Sequence, residues 1–222
     1  MKPLMSRTED TSTLQDLGRA SIQIVHDLKN QLNGLKLYAT FLRKRIEKGD
    51  RPEDELETIG KLISGLDRAA SDLSTIVEYG REIDLKKQSG FDLQKLLRTV
   101  CAELTNGGSP VTCVIETDPM PGEFDPVKLA DAFRWLSIGA LKHRQNGELA
   151  EQVTVSAELK DQEPKQAVIT WSGLAALEHD PFLSFAGSEE IRLSLAAKII
   201  ESHAGSAKYD NGTFVVTLPL IS

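Results

Sequence analysis

Two long apolar stripes at helical spacing dominate the first third of the chain. Leu14, Leu17, Ser21, Ile24/Val25, Leu28, Leu32, Leu35, Ala39, Leu42 and Ile46 recur at steps of three or four residues. After a break, Leu56, Ile59, Leu62/Ile63, Leu66, Ala69/Ala70, Leu73 and Ile76/Val77 repeat the pattern. Gly49-Asp50-Arg51-Pro52 separates the two, with Pro52 suited to a first helical turn. Thr11, Ser12 or Thr13 can cap the first helix, which is expected to run to Lys48. The second is expected from Glu53 to Ile83. Two such helices make an antiparallel hairpin over residues 12–85. A lone hairpin leaves the far side of each stripe uncovered. Pairing two hairpins about a twofold axis covers both, as a dimeric four-helix bundle. The alternative is a coiled-coil spacer or a two-helix arm on a monomer.

The remaining residues, 91–222, alternate helical and strand patterns. A helix is expected from Phe91 to Leu104, a strand at Val111–Glu116, a loop through Pro119–Gly122 and a helix from Pro126 to His143 started by Asp125. Strands follow at Gln152–Leu159 and Gln166–Trp171, then an irregular stretch, Ser172–Gly187. A helix at Glu189–His203 and strands at Ser206–Tyr209 and Thr213–Leu218, joined by Asp210-Asn211-Gly212, close the chain. Helices on one face of a mixed sheet make an α+β sandwich. The fold class is thus a helical hairpin followed by an α+β sandwich.

Composition excludes several classes of function. A net charge of −7 disfavours nucleic-acid binding, which calls for a basic patch. No apolar run approaches the roughly 20 residues of a membrane helix, and Met1–Ser12 has no apolar core of a signal peptide. A cytoplasmic protein without a membrane sensor is expected. Cys101 and Cys113 lack metal-ligand spacing and are read as reduced thiols.

The first helix carries one candidate reactive group. At about 100° per residue, its core stripe stays within roughly 60° of Leu28, and His26 falls about 160° away. The plain interpretation is a solvated surface histidine. Three features point elsewhere: a carboxylate follows at Asp27, an amide lies one turn on at Asn30, and the face around His26 carries Ile22, Leu37 and Phe41. These suggest a reactive nitrogen beside a docking surface. His143 and His203 end helices, where the dipole favours histidine, and His179 lies in a loop without ligand spacing. No metal site is expected.

The segment His26-Asp27-Leu28-Lys29-Asn30 resembles the H-box of bacterial sensor histidine kinases. Ile199-Ile200-Glu201-Ser202-His203-Ala204-Gly205 and Gly212-Thr213-Phe214-Val215-Val216-Thr217-Leu218-Pro219-Leu220 resemble the last helix and strand of their ATP-binding domain. The resemblance runs from about Leu14 to Leu220. It implies that His26 takes a phosphoryl group and exchanges it with a receiver-domain aspartate of a response regulator. Asp27 would orient or deprotonate the imidazole, and Asn30 would position water at the aspartyl phosphate. Ile22, Asn33, Leu37 and Phe41 would meet the partner. Magnesium would come from the receiver.

Three nucleotide-binding groups of that family are missing. Its Mg²⁺-holding asparagine aligns with Gly139. Its Asp-x-Gly-x-Gly aligns with Ser172-Gly173-Leu174-Ala175-Ala176, which has no carboxylate. Its Gly-rich phosphate loop aligns with Gly187-Ser188-Glu189-Glu190, where carboxylates would repel phosphate. The chain therefore looks like a histidine phosphotransferase with a degenerate ATP domain and no cofactor of its own. Expected partners are a second copy, a response-regulator receiver domain and an upstream histidine kinase or hybrid kinase, with no nucleic acid or membrane. A divergent active kinase and a non-catalytic dimeric scaffold are the alternatives.

Overall fold

The computed structural model describes residues 21, 24, 27–28, 30–42, 44–45, 52–115, 118–144, 152–160, 165–184 and 188–221. Two compact units divide the chain: residues 1–80 with 185–188, and residues 81–184 with 189–222.

In the first unit the described residues between 21 and 45 are helical and form α1. Helix α2 is Pro52–Tyr79, with its proline in the first turn as expected. It stops before Ile83 because Gly80, whose N–H still reaches the Ile76 carbonyl at 2.9 Å, carries no side chain to hold the helix on. The helices touch in antiparallel order. Gln31 Nε2 donates to Asp72 Oδ2 at 3.0 Å. Further along, Leu35 packs so closely on Gly65 that an added Cβ there would lie 2.9 Å from Leu35 Cδ2.

The second unit holds seven strands and three helices among its described residues. Five strands form a mixed sheet in the order β2-β4-β5-β7-β6: β2 (Val111–Ile115), β4 (Val153–Lys160), β5 (Gln166–Ser172), β6 (Ser206–Asp210) and β7 (Thr213–Pro219). β2 pairs with β4 in parallel, and the other pairs are antiparallel. Period-two burial shows why the strands form. Val155, Trp171 and Phe214 stand in one cross-strand row, and Ala157, Ile169 and Val216 in the next, all of them buried. The other face carries hydroxyl pairs such as Ser156–Thr170 at 2.6 Å and Ser206–Thr217 at 2.7 Å.

Helices α3 (Leu93–Asn106), α4 (Pro126–Lys142) and α5 (Ser188–Ser202) supply the second layer. Leu93, Leu97, Leu129, Phe133, Leu136, Leu193 and Leu195 are almost wholly buried. Asp92 caps α3 by accepting from Gln94 N at 3.1 Å, and also accepts from Met120 N at 3.1 Å.

Two strands were not expected. β1 (Gln88–Asp92) and β3 (Pro121–Phe124) form a small antiparallel sheet, where the sequence suggested a helix beginning at Phe91 and a loop through Pro119–Gly122. Gly90, at φ +69°, lies in a register slip between Gln88 and Phe91. Gly122 lies beneath the buried ring of Phe124, 2.2 Å from where a Cβ would sit. The residues that read as loop are those that let an irregular pair close.

The cysteine reading also needs correction. Cys101 on α3 and Cys113 on β2 form a disulfide with Cα atoms 6.4 Å apart. They are not free thiols. Only their nearness in the fold, across a turn that includes Gly108 at φ +79°, makes the pairing possible.

His203 ends α5 as expected, its N–H reaching the Ile200 carbonyl at 3.0 Å, and it is also buried, at 2% exposed. Asp125 N donates to its Nε2 at 3.0 Å, so the ring proton sits on Nδ1 and points to the Ile199 carbonyl at 2.8 Å. Burial pushes its pKa down, with the Ile199 carbonyl acting in opposition. A histidine whose pKa is lowered on folding binds fewer protons folded than unfolded. Its stabilising contribution is present above the unfolded value of about 6.5 and is lost as pH falls below it. Stability should therefore decline from pH 7 to pH 5. His143, also lowered by burial, adds to that slope. Thermal melts of wild type and His203→Gln across this range test the point: the variant should show the shallower slope, and equal slopes would refute it.

Candidate functional site

Helix α1 carries four of the sequence-predicted site residues on one face. At about 100° per residue, Asn30, Asn33, Leu37 and Phe41 fall within roughly 80° of one another, opposite Leu28 and Leu35. All four are exposed, Leu37 at 56% and Phe41 at 55%, whereas Leu35 is buried. Asp27 is half-buried on the flank of that face. His26 and Ile22 lie outside the described residues. The helical residues on either side of position 26, at 24 and 27, continue α1.

The surface around this face has two separate apolar regions. Leu37, Tyr38 and Phe41 form one on α1. Leu32 on α1 and Ile59, Ile63 and Leu66 on α2 are exposed as well, at 58%, 41%, 52% and 49%. Leu32 lies about 140° around the helix from Leu37 and about 180° from Phe41.

In the second unit, the positions aligned with a nucleotide site can be followed one at a time. Gly139 is buried on α4, and an added Cβ would come 2.6 Å from Leu193 Cδ2 and 3.0 Å from Leu193 Cδ1 and Cγ. The leucine, 0% exposed, occupies the space a side chain at 139 would need. Two residues earlier, Ser137 Oγ accepts from Trp171 Nε1 at 2.9 Å and donates to the Phe133 carbonyl at 2.8 Å. That part of α4 is committed to the core.

The segment after β5 is tied down at both sides. Gly173 sits at φ +92°, where an added Cβ would meet the Gln152 carbonyl at 3.0 Å. The glycine is required by the backbone path. Ala175 N donates to the His143 carbonyl at 2.7 Å, and Arg144 bridges Leu174. Tyr209 Oη accepts from Leu177 N at 2.8 Å and from Gly212 N at 3.2 Å, and donates to the Ala175 carbonyl at 3.1 Å. The hydroxyl latches residues 175–177 to the β6–β7 turn.

The start of α5 is bonded to the end of α4. Lys142 Nζ lies 3.0 Å from Glu190 Oε1. Burial pushes the Glu190 carboxyl up, but the hydrogen bonds from Lys142 and its own backbone N–H, with the charges of Lys142 and His143, together lower its pKa. Arg192 and Glu189 pair at 3.4 Å. Ser194 Oγ donates to the carbonyls of Phe182 at 2.8 Å and Ser184 at 3.2 Å, holding the preceding loop on α5. Phe182 is buried against Phe214, with ring centroids 5.2 Å apart.

These groups do not fit a magnesium nucleotide. Position 139 has no ligand oxygen and no room for one. Ser172 Oγ faces the Thr154 carbonyl at 3.4 Å and offers no carboxylate. The side chain nearest the only anion-attracting group of α4's last turn, Lys142, is itself an anion. Among the described residues, no group of three or more His, Cys, Asp or Glu side chains could hold a metal ion. No helix among them is long and apolar enough to cross a membrane. The roles of Leu193 and Tyr209 were not legible in the sequence, because each acts across contacts distant along the chain.

No family model and no curated protein matches the sequence. Solved structures do match the fold. The Acinetobacter baumannii histidine kinase AdeS aligns at 18% identity and TM-score 0.64, over 89% of this chain and 98% of that one. Histidine kinase ThkA, solved in complex with response regulator protein TrrA, aligns at 19% identity and TM-score 0.66, over 100% of this chain and 68% of that one. The fold is that of a histidine-kinase core. Full-length ShkA in complex with AMPPNP aligns at 15% identity and TM-score 0.59, over 87% of this chain but only 46% of its own length. At such identities the likeness is one of fold, and the chemistry must be argued from the residues.

Proposed function

We propose that this chain is a histidine phosphotransfer protein of a two-component system or phosphorelay, without ATP-dependent kinase activity of its own. The observation that carries this reading is the packing of Leu193 into the space beside Gly139, where a kinase of this fold would need a magnesium ligand. The histidine motif is present in the sequence, while Leu193 takes the space beside Gly139 and Glu190 pairs with Lys142. His26 is the phosphoryl carrier, Asp27 orients its ring, and Asn30 acts on water at the partner's aspartyl phosphate. Asn33, Leu37 and Phe41, with Ile22, receive the receiver domain. That domain brings its own magnesium. The complex of ThkA with TrrA supports a response regulator as partner for a chain of this fold.

The direct test is incubation with a receiver domain phosphorylated on its aspartate. Acid-labile, base-stable phosphate should move onto this chain at His26, in the absence of ATP. Its failure to appear with any cognate receiver would leave the reading without its reaction. The alternative of a divergent active kinase draws support from the kinases that share the fold, one of them holding AMPPNP. Autophosphorylation on adding Mg-ATP alone would decide for it.

The second element of the proposal is a homodimer through α1 and α2 in a four-helix bundle. Exposed Leu32, Ile59, Ile63 and Leu66 support it, because a monomer gains nothing from leaving such a stripe in water. Leu32→Asp should convert the dimer to monomer or unfold it, since an unpaired carboxylate in the shared core is costly. Light scattering at micromolar concentration measures this; a wild-type monomer would count against the bundle.

A further inference from the structure

We propose that the Cys101–Cys113 bridge is a reversible oxidation site, opened and closed by thiol–disulfide exchange. The two sulfurs differ in access. Cys101 sits on the buried face of α3 at 6% exposure, whereas Cys113 is exposed on β2. β2 is an edge strand of the five-stranded sheet, hydrogen-bonded along one side only, to β4. Cys113, the exposed residue of the pair, is therefore the one at which an incoming thiolate is expected to attack.

The exchange is a two-electron reduction. A thiolate of a dithiol reductant attacks Cys113 Sγ and forms a mixed disulfide there. The Cys101–Cys113 bond breaks, and its electron pair leaves on Cys101 Sγ, which takes a proton. The reductant's second thiol then attacks the mixed disulfide, releasing Cys113 as a thiol and leaving the reductant as its own disulfide. The reverse sequence, driven by a small-molecule disulfide such as oxidised glutathione, closes the bridge. In an oxidising compartment the site stays closed. In a reducing one it follows the thiol poise.

The structural consequence falls on the α3–β2 corner. Twelve residues separate the cysteines along the chain, and opening the bridge returns that loop's freedom to the unfolded state. In the folded state, β2 then keeps its ladder to β4 and the hydrogen bond from Arg98 to the Ile115 carbonyl at 3.0 Å. Those bonds are enough to hold the strand in place but leave it less stable.

The experiment uses the full chain equilibrated with oxidised glutathione or with dithiothreitol. Iodoacetamide alkylation and intact mass count free thiols in each sample, and melting curves are recorded in parallel. The oxidised chain should take up no alkyl group and the reduced chain two. The oxidised form should melt higher by about 5–10 °C. Cys113→Ser, an exposed substitution that leaves the core alone, should melt like the reduced wild type in both conditions. Two free thiols after glutathione treatment, or equal melting of the two wild-type samples, would overturn the proposal. A bridge that dithiothreitol cannot open in the folded chain would overturn its reversibility.

Discussion

Replacing His26 with alanine should lower phosphoryl transfer from a phosphorylated receiver domain by at least about a thousandfold, while the melting curve stays where it was. The chemistry requires a nitrogen that attacks phosphorus in line with the aspartyl oxygen. The N–P bond forms as the P–O bond to the partner's carboxylate breaks. Only a neutral imidazole does this near pH 7 and can hold its second nitrogen to a neighbour by a hydrogen bond. Helical spacing in the sequence leads us to expect position 26 about 40° from Asn30, toward Leu37 and Phe41. The protein contributes positioning and charge, so no other side chain of this face replaces the lost nitrogen. Stability should not change, because surface substitutions usually stay within about 0.5 kcal/mol. Asn30→Ala should retain transfer and slow loss of phosphate from the partner. Rapid-quench transfer assays with labelled receiver separate the two effects. Normal transfer by His26→Ala would move the chain to the scaffold reading.

Periodicity made the strongly patterned elements legible. α4, expected from Pro126 to His143, is observed at Pro126–Lys142 because Asp125 accepts from Val127 N and Lys128 N at 3.0 and 3.1 Å. β4, β5 and β7 agree within a residue or two, since their buried face alternates without interruption. β1 and β3 were illegible because a register slip at Gly90 and a ring over Gly122 break the alternation on which strand reading depends. The disulfide was illegible for a different reason. Spacing argued correctly against a metal site but says nothing of a helix and a strand folding back on one another.

The candidate site divides in the same way. The exposed face of Asn30, Asn33, Leu37 and Phe41 follows from helical geometry alone, which is local and needs no knowledge of the rest of the fold. The positions that the resemblance aligns with a nucleotide site could be named from the sequence, but what packs against them could not. Leu193 reads as an ordinary core leucine, and Tyr209 as a strand aromatic. The packing on Gly139 and the latch on residues 175–177 depend on contacts 54 residues apart in one case and about 34 in the other.

Restoring the asparagine makes the second large prediction. Gly139→Asn should destabilise the second unit by about 2–5 kcal/mol and should not confer nucleotide binding. Its Cβ would meet Leu193 Cδ2 at 2.6 Å, and Leu193, 0% exposed, has no solvent side into which to swing. Overpacking of this kind costs roughly 1–3 kcal/mol. The amide adds a buried polar group beside a leucine, for about another 1–3 kcal/mol if it stays unpaired. Better helix propensity than glycine returns only a few tenths of a kcal/mol. Gly139→Ala should lose less, since it carries the clash without the amide. Pairing Gly139→Asn with Leu193→Ala should recover part of the loss, because the two changes share one space. Even then Mg-ATP should not raise the melting temperature, because Ser172 still lacks a carboxylate and Glu190 still neutralises Lys142 at 3.0 Å. A nucleotide at a hundred times its dissociation constant would add about 2.7 kcal/mol of stability, well within reach of a thermal-shift assay. If Gly139→Asn melted like wild type, Leu193 would not be the obstacle it is taken to be. If it also gained an ATP-dependent shift, the divergent-kinase reading would displace the phosphotransfer one.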